Sequence, residues 1–310
     1  MSIAVQSEAH HQLMYANNVQ MVAQQTRRTL REAVTEAPCS GEAHSVADLV
    51  GAVDAQESDG RDRRNIENVP KNSRRWVVFP TETQSGQYID KAEKLQRAMD
   101  PTSVYVRTHT VAVQRGIGDK ILGVEKQPNG TFKVRTGGIL GTATDGKTPG
   151  ASKVALPSGN IIPAGGAGLT LSKLKTSKEK LALREFGLED DDDEMYCAIS
   201  PKQVTDLLDI ADGDGSSLNA FQQIQLMNGK PTPLLGYKWI VTNRLPVDSD
   251  GNRMCPVWSK RNIVAGIWQD VEGRMWNDTS AKNTPYAHVG AFVDCVRVED
   301  GGVEVITCVE

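Results

Sequence analysis

GTATDGKTPG, residues 141–150, sets Gly141, four intervening residues, then Gly146, Lys147 and Thr148. That spacing is the phosphate-loop pattern, in which backbone N–H groups cradle phosphates, the lysine neutralises them and the hydroxyl holds Mg²⁺. Such a loop would make the chain an NTPase. It must leave a buried strand and enter a helix, because the helix N-terminus supplies the donors and the dipole. Here Pro149 follows Thr148 directly, and a residue before proline is driven out of helical angles. Gly150 discourages a helix further, and no apolar run ending in Asp follows as a second magnesium motif. The stretch therefore reads as a flexible surface loop, and the chain as a mixed α+β protein without βαβα alternation.

Working outward, residues 128–168 are rich in Gly, Pro, Thr and Ser and read as loops. LSKLKTSKEKLALREFG, from Leu171, reads as a helix with Leu171, Leu174 and Leu181 inward and Gly187 as its stop. An acidic run, Glu189 to Glu194, leads into the short strand MYCAI. Ser200-Pro201-Lys202-Gln203 is a capping box that opens a helix burying Val204, Leu207 and Leu208. SSLNAFQQIQLMN is a further helix that stops at Asn228-Gly229, and LLGYKWIVTNRL is a strand. The tail AFVDCVRVEDGGVEVITCVE reads as a hairpin about Asp300-Gly301-Gly302.

Upstream, Asp100-Pro101 pairs an N-cap carboxylate with proline at the first helical position. The helix runs to about Gly123 with Val104, Val111, Ile121 and Leu122 buried. Gly116 and Gly118 each weaken it by up to about 1 kcal/mol relative to Ala, unless they serve close packing. Residues 45–79 form an extended hairpin turning at Ser58-Asp59-Gly60, its return arm basic at Arg61, Arg63, Arg64, Lys71, Arg74 and Arg75. A charge run of that kind is ordinarily a solvated face. Residues 6–36 read as one polar helix with a narrow seam of Tyr15, Val19, Val22, Thr26, Leu30 and Ala33. It lies on its own domain or docks on a neighbouring subunit; Pro38 and Gly41 end it.

The totals narrow the function classes. With 35 basic and 39 acidic residues the net charge is −4, so no global charge draws the chain to nucleic acid or anionic lipid. The N-terminus has no basic region followed by an apolar run, and no stretch of eighteen apolar residues predicts a membrane span. Five dispersed cysteines suit a reducing compartment and small packing roles better than disulfides or zinc. Aromatics are only 5%, with 28 Gly and 14 Pro, which fits a chain that buries apolar surface against other chains. Asp212-Gly213-Asp214-Gly215 and Asp248-Ser249-Asp250-Gly251-Asn252 resemble calcium-loop starts but lack the required Gly and Glu, and read as tight turns. His10-His11 lack metal-ligand spacing, Arg115 and Asp119 are spaced for a helical ion pair, and the cysteines have no convincing His partner. No catalytic, cofactor-binding or metal residue is assigned.

The order of elements resembles the major capsid proteins of tailed bacteriophages, the Hong Kong 97-like family. The residues carrying the likeness are RRWVVFP at 74–80, Ile89-Asp90, and Asp100-Pro101 opening the long helix through Arg115, Asp119 and Ile121. Leu169-Thr170 with Lys173-Leu174, AISPKQVTDLL at 198–208, and MNGK before LLGYKWIVTNRLP continue it. Pro256-Val257-Trp258 and Gly290-Ala291 complete a match extending from about residue 40 to 310. Each motif alone is weak; their shared order is the specific signal.

The resemblance implies an N-terminal arm (1–40), an extended loop (41–78) and a peripheral domain (79–165) with a spine helix at 101–123. It implies an axial domain (166–265) and a return to the periphery through the C-terminal hairpin (266–310). The arm is rather long for the family, and Gly116-Ile117-Gly118 is an unusual insert for a spine helix. Some relatives cross-link Lys to Asn between subunits; Lys71 lies in the right loop, but no local pattern supports the reaction. The function implied is a self-assembling coat: pentamers and hexamers closing into an icosahedral shell around double-stranded DNA, held in the virion and built in the host bacterial cytoplasm. Its partners are further copies of itself, with scaffolding, portal and decoration proteins as additional ones; DNA is met by proximity only, and no membrane or cofactor is involved. Candidate inter-subunit contacts are Tyr15, Val19, Val22 and Leu30 on the arm, with Arg61, Arg63 and Arg64 set against Asp190, Asp191, Asp192 and Asp193. The alternatives are an encapsulin-like compartment shell, which shares the fold, and a phosphate-loop NTPase, which nucleotide binding would reveal.

Overall fold

The computed structural model describes residues 28–51, 53, 69–70, 72–89, 102–187, 193–213 and 233–310. It opens with α1 (Arg28–Glu32), β1 (Thr35–Pro38), β2 (Ala43–Val50), β3 (Asn72–Val78) and β4 (Thr83–Tyr88). The long helix α2 (Thr102–Leu122) leads to β5 (Val124–Lys126), β6 (Phe132–Val134), β7 (Ala143–Asp145), β8 (Ser152–Val154) and β9 (Ile161–Ile162). Then come α3 (Leu171–Ala182), β10 (Met195–Ile199), α4 (Pro201–Gly213), β11 (Tyr237–Val241) and β12 (Arg253–Ser259). The chain closes with β13 (Ile263–Asp278), β14 (Thr284–Arg297) and β15 (Val303–Cys308). The strands form sheets β1-β13-β14-β4, β11-β10-β12-β15-β9 and β2-β3-β7-β8, with β5-β6 as a small ribbon. This is the expected α+β architecture.

α2 is the spine. Its 21 residues span about 32 Å at 1.5 Å per residue, and Val113, Ile117 and Ile121 bury one stripe against Val289, Ala291 and Val293 of β14 in a common core. Val111, Ile121 and Leu122 are buried as the sequence predicts. The helix runs unbroken through Gly116. A Cβ there would lie 2.5 Å from Thr83 Cγ2, so the glycine lets β4 press close to the helix.

Three expectations are corrected. The N-terminal helix ends at Glu32, not at 36, because the edge of β13 offers backbone partners: Thr35–Pro38 pairs with it in parallel, Thr35 beside Val264 and Pro38 beside Ile267. The indole Nε1 of the buried Trp258 donates to Ala33 O at 2.9 Å and fixes that transition. The C-terminal hairpin does not form. β14 and β15 lie in different sheets, and β15 is inserted between β12 (antiparallel) and β9 (parallel); every residue of VEVITC is buried, as a central strand requires. The Asp300–Gly302 turn is thus a crossover between sheets. The hairpin present instead is β13–β14, in register from Ile263↔Arg297 to Asp278↔Thr284 with bulges near Ile267 and Gln269. Third, Asp119 pairs with Arg244 rather than forming the expected contact with Arg115: Arg244 Nη2 donates to Asp119 Oδ2 at 2.6 Å.

The capping box at Ser200 is present, Ser200 N–H donating to Gln203 Oε1 at 2.9 Å and Lys202 N–H to Ser200 Oγ at 3.2 Å. Gly187 takes φ +73° after the last turn beyond α3. The expected helix 216–228 and the Asp100-Pro101 cap lie outside the described residues.

Candidate inter-subunit surfaces

β2 and β3 form an antiparallel ribbon from Ala43↔Val78 to Val50↔Asn72. Its base is fixed. Val77, Ala143 and Val296 make a small core with Val46 and Trp268 beside it, and Phe79 stacks on Phe292 and meets Trp268 edge-on. Arg75 donates to Val298 O at 3.1 Å and to Asp300 Oδ2 at 2.8 Å, and Trp76 Nε1 to Gly146 O at 2.8 Å. Arg297, fully buried, donates to the other oxygen, Asp300 Oδ1, at 2.6 Å, and burial lowers its pKa despite that partner. Towards its far end, the described residues Val50, Val53 and Val69 are 68%, 52% and 76% exposed.

A second open surface sits at the far end of the β13–β14 hairpin. Trp276, Tyr286 and Tyr88 stand side by side across β13, β14 and β4, on the face opposite the residues that meet α2. Trp276 is 45% and Tyr88 48% exposed. Tyr88 Oη donates to Asp278 Oδ2 at 2.7 Å, a bond that raises the Tyr88 pKa, while Asp278 is lowered first by the hydroxyl of Ser280 and then by Tyr88. Composition hides this cluster in a chain poor in aromatics. The readable signal was two aromatics flanking the turn-rich NDTSAKNTP at 277–285.

Of the sequence-predicted contact residues, Leu30 does not face a neighbour: it is fully buried in the chain's own core, because α1 packs on α2. Tyr15, Val19, Val22, Arg61, Arg63, Arg64, Asp190, Asp191 and Asp192 lie outside the described residues, as does Lys71. Asp193 accepts a hydrogen bond from Ser259 Oγ within the chain. Its neighbour Glu194 is held down to about 2, chiefly by Lys238, with Tyr196 Oη donating at 2.6 Å and Lys260 3.6 Å away.

The stretch 141–150 is a β-turn unit, not a free loop. Ala143–Asp145 pairs with Ser152–Val154, and Gly141 and Ala143 are buried while Lys147 to Gly150 are exposed. Strand leads to strand with no helix, so the geometry for phosphate is missing. Asp248 accepts from the N–H groups of Asp250 (2.9 Å) and Asn252 (2.8 Å), a self-satisfied turn. All five cysteines are free thiols, four of them buried. A cleft of about 430 Å³ is lined by Arg31, Glu32, Glu36, Gln114, Ile117 and Asp270. Among the described residues its one base, Arg31, is already shared by Glu36 at 2.5 Å and Asp270 at 2.9 Å.

Residues 7–310 match the model of the phage capsid protein family. Among curated proteins no relative matches the chain. Among solved structures, the capsid of an empty GTA particle superposes with TM-score 0.68 at 14% identity, covering 100% of both chains. The capsid of the cyanophage P-SCSP1u gives 0.66 at 14% identity, with 96% and 92% covered. The capsid of the Myoviridae phage XM1 gives 0.61 at 12% identity, with 97% and 98% covered. With a long spine helix against a four-stranded sheet, a protruding ribbon and a second five-stranded sheet, this chain shares the fold of these capsid proteins and belongs to the phage capsid protein family.

Proposed function

We propose that copies of this chain join head to tail into pentamers and hexamers, which tile an icosahedral shell around a double-stranded DNA genome. The observation that carries this reading is the β2–β3 ribbon, which leaves Val50, and beyond it Val53 and Val69, exposed. A two-stranded ribbon alone is marginal in water, so its free end is stabilised by another subunit. Residues 41–78 would be the extended loop, 1–40 the arm, and 79–165 apart from β9, with most of 266–302, the peripheral domain. The axial domain would hold 166–262 and, with them, β9 and the last strand β15, which share its sheet.

The role is mechanical. A net charge of −4 favours a container lining that meets DNA by proximity. Buried free thiols support assembly in the reducing host cytoplasm, where scaffolding, portal and decoration proteins would join it. Tyr15, Val19 and Val22 are kept as arm contacts, and Arg61, Arg63 and Arg64 are set against Asp190, Asp191 and Asp192 of a neighbour. Asp193 is left out because Ser259 engages it.

Deleting residues 56–64 tests the reading. A folded, soluble chain with unchanged circular dichroism that gives monomers or isolated rings is the expected result. Closed shells formed as efficiently as by the full chain would overturn it.

A further inference from the structure

One antiparallel ladder runs through both large sheets. β12 pairs with β15 as far as Trp258↔Val303, and β13 pairs with β14 from Ile263↔Arg297 onward. Between those pairs the two chain segments cross from one sheet to the other side by side. Each does so through a 3₁₀ turn, Lys260–Asn262 on one segment and Asp300–Gly302 on the other. Strand pairing lapses at this elbow, and the buried Asn262 takes its place. Its main-chain carbonyl accepts from Val298 N–H at 2.8 Å. Its side-chain Oδ1 accepts from Glu299 N–H, and its Nδ2 donates to Glu299 O, both at 2.8 Å. An amide that meets the N–H and the C=O of one residue copies the pairing of a strand neighbour.

The surroundings hold the elbow as well. Gly302 makes room for the amide, since a Cβ there would lie 2.4 Å from Asn262 Nδ2. Asn160, also buried, donates to Asp300 O at 2.6 Å and to Val303 O at 3.0 Å, and Arg184 donates to Gly301 O at 3.2 Å. Val257, Trp258, Val303 and Val305 on one side of the elbow share a core with Ile263, Ala265, Val293 and Cys295 on the other. Segments that open easily have few buried contacts and exposed backbone bonds. This elbow has the opposite character.

Its leverage is large. β13 has 16 residues and spans about 50 Å at the usual rise, so a tilt of about 5° at the elbow carries its far end by about 4 Å. A ring closed by head-to-tail contacts repeats any such displacement at every subunit. We propose that Asn262 is a positioning residue that fixes the elbow angle between the two sheets, and that this fixed angle sets the curvature of the assembled shell. The inference rests on the shell-forming reading and assigns its curvature to one side chain.

Three measurements test it. In the full-length chain kept as free subunits, Asn262→Ala should leave the circular dichroism spectrum unchanged. It should speed hydrogen exchange across residues 298–302 by about tenfold or more. Asn262→Asp keeps the acceptor for Glu299 N–H and loses only the donor, so it reads the same loosening with a smaller disturbance of the fold. Produced with the other capsid components of its phage, each variant should give open curved sheets, or particles whose diameters spread at least about twofold more widely than the wild type's. Electron microscopy of wild-type particles should show one elbow angle, within about 5°, in every subunit. Unchanged exchange in both variants, variant particles as uniform as the wild type's, or a wild-type elbow that varies beyond that range would overturn this role and leave the shell reading standing. Failure of the wild-type chain to form particles would overturn the shell reading, and the exchange result would still decide whether Asn262 holds the elbow.

Discussion

Arg75 at the base of the ribbon and Asp300 at the crossover turn are joined by a 2.8 Å ion pair between groups far apart in the chain. Asp300 also takes Arg297, so one carboxylate holds two largely buried guanidinium groups and ties the ribbon to the end of β14. Removing one partner of a buried pair costs about 3–5 kcal/mol, because the remaining charge stays desolvated. Asp300→Ala should lower stability by about that amount in urea denaturation of the soluble chain. Asp48→Ala, which breaks the exposed Asp48–Arg74 pair on the same ribbon, should leave the denaturation midpoint unchanged. Equal effects from the two would remove the anchoring role of Asp300.

Lys120 supplies a pH dependence. It is buried at the end of α2, its Nζ donating to Thr81 O at 2.7 Å, and burial lowers its pKa from 10.5 to about 8. Between those values the unfolded chain keeps the proton and the folded chain does not, so stability rises with pH across that window. Below pH 8 the full cost of about 3 kcal/mol is present. The stability difference between wild type and Lys120→Met, followed by chemical denaturation from pH 7 to 10, isolates this group from the buried thiols. The difference should shrink as pH rises; a constant difference would contradict the burial of a charged amine.

Gly138 and Gly123 sit back to back, both at positive φ, +73° and +75°. A Cβ on Gly138 would lie 2.3 Å from Gly123 N and 2.5 Å from Lys120 O, backbone atoms that cannot step aside. Gly138→Ala should therefore cost more than about 3 kcal/mol, at the severe end for single substitutions, read as loss of soluble protein or a large fall in Tm. Gly130→Ala is the control, since Gly130 also has positive φ, +86°, but nothing lies within 4 Å of its added Cβ.

Lys147 carries the remaining prediction. As the exposed tip of the β7–β8 turn, Lys147→Ala should change stability by no more than about 0.5 kcal/mol and leave assembly unaltered. Saturable ATP binding that vanishes in this variant would revive a nucleotide site.

Local chemistry was legible where it was self-contained. The spine helix, the Ser200 capping box and the Asp248 turn each declare themselves through residues within a few positions of one another. The fate of strands was not, because it depends on which sheet edge is free. VEDGGVEVITC has every feature of a hairpin return, yet β15 joins β12 and β9, and Asp300 pairs with two largely buried arginines. Leu30 fits a contact seam equally well on its own body or on a neighbour, and only packing against α2 decides. The aromatic cluster escaped notice because Tyr88 and Trp276 are nearly two hundred residues apart and meet only through the register of β4, β14 and β13.

The central claim is that this chain builds closed shells through its ribbon. Cryo-electron microscopy of the full-length chain, produced with its phage's other capsid components, tests it most directly. The account predicts hollow particles of five- and six-membered rings, with each β2–β3 ribbon lying across a neighbouring subunit. Monomers alone, or shells in which the ribbon folds back on its own subunit, would contradict it.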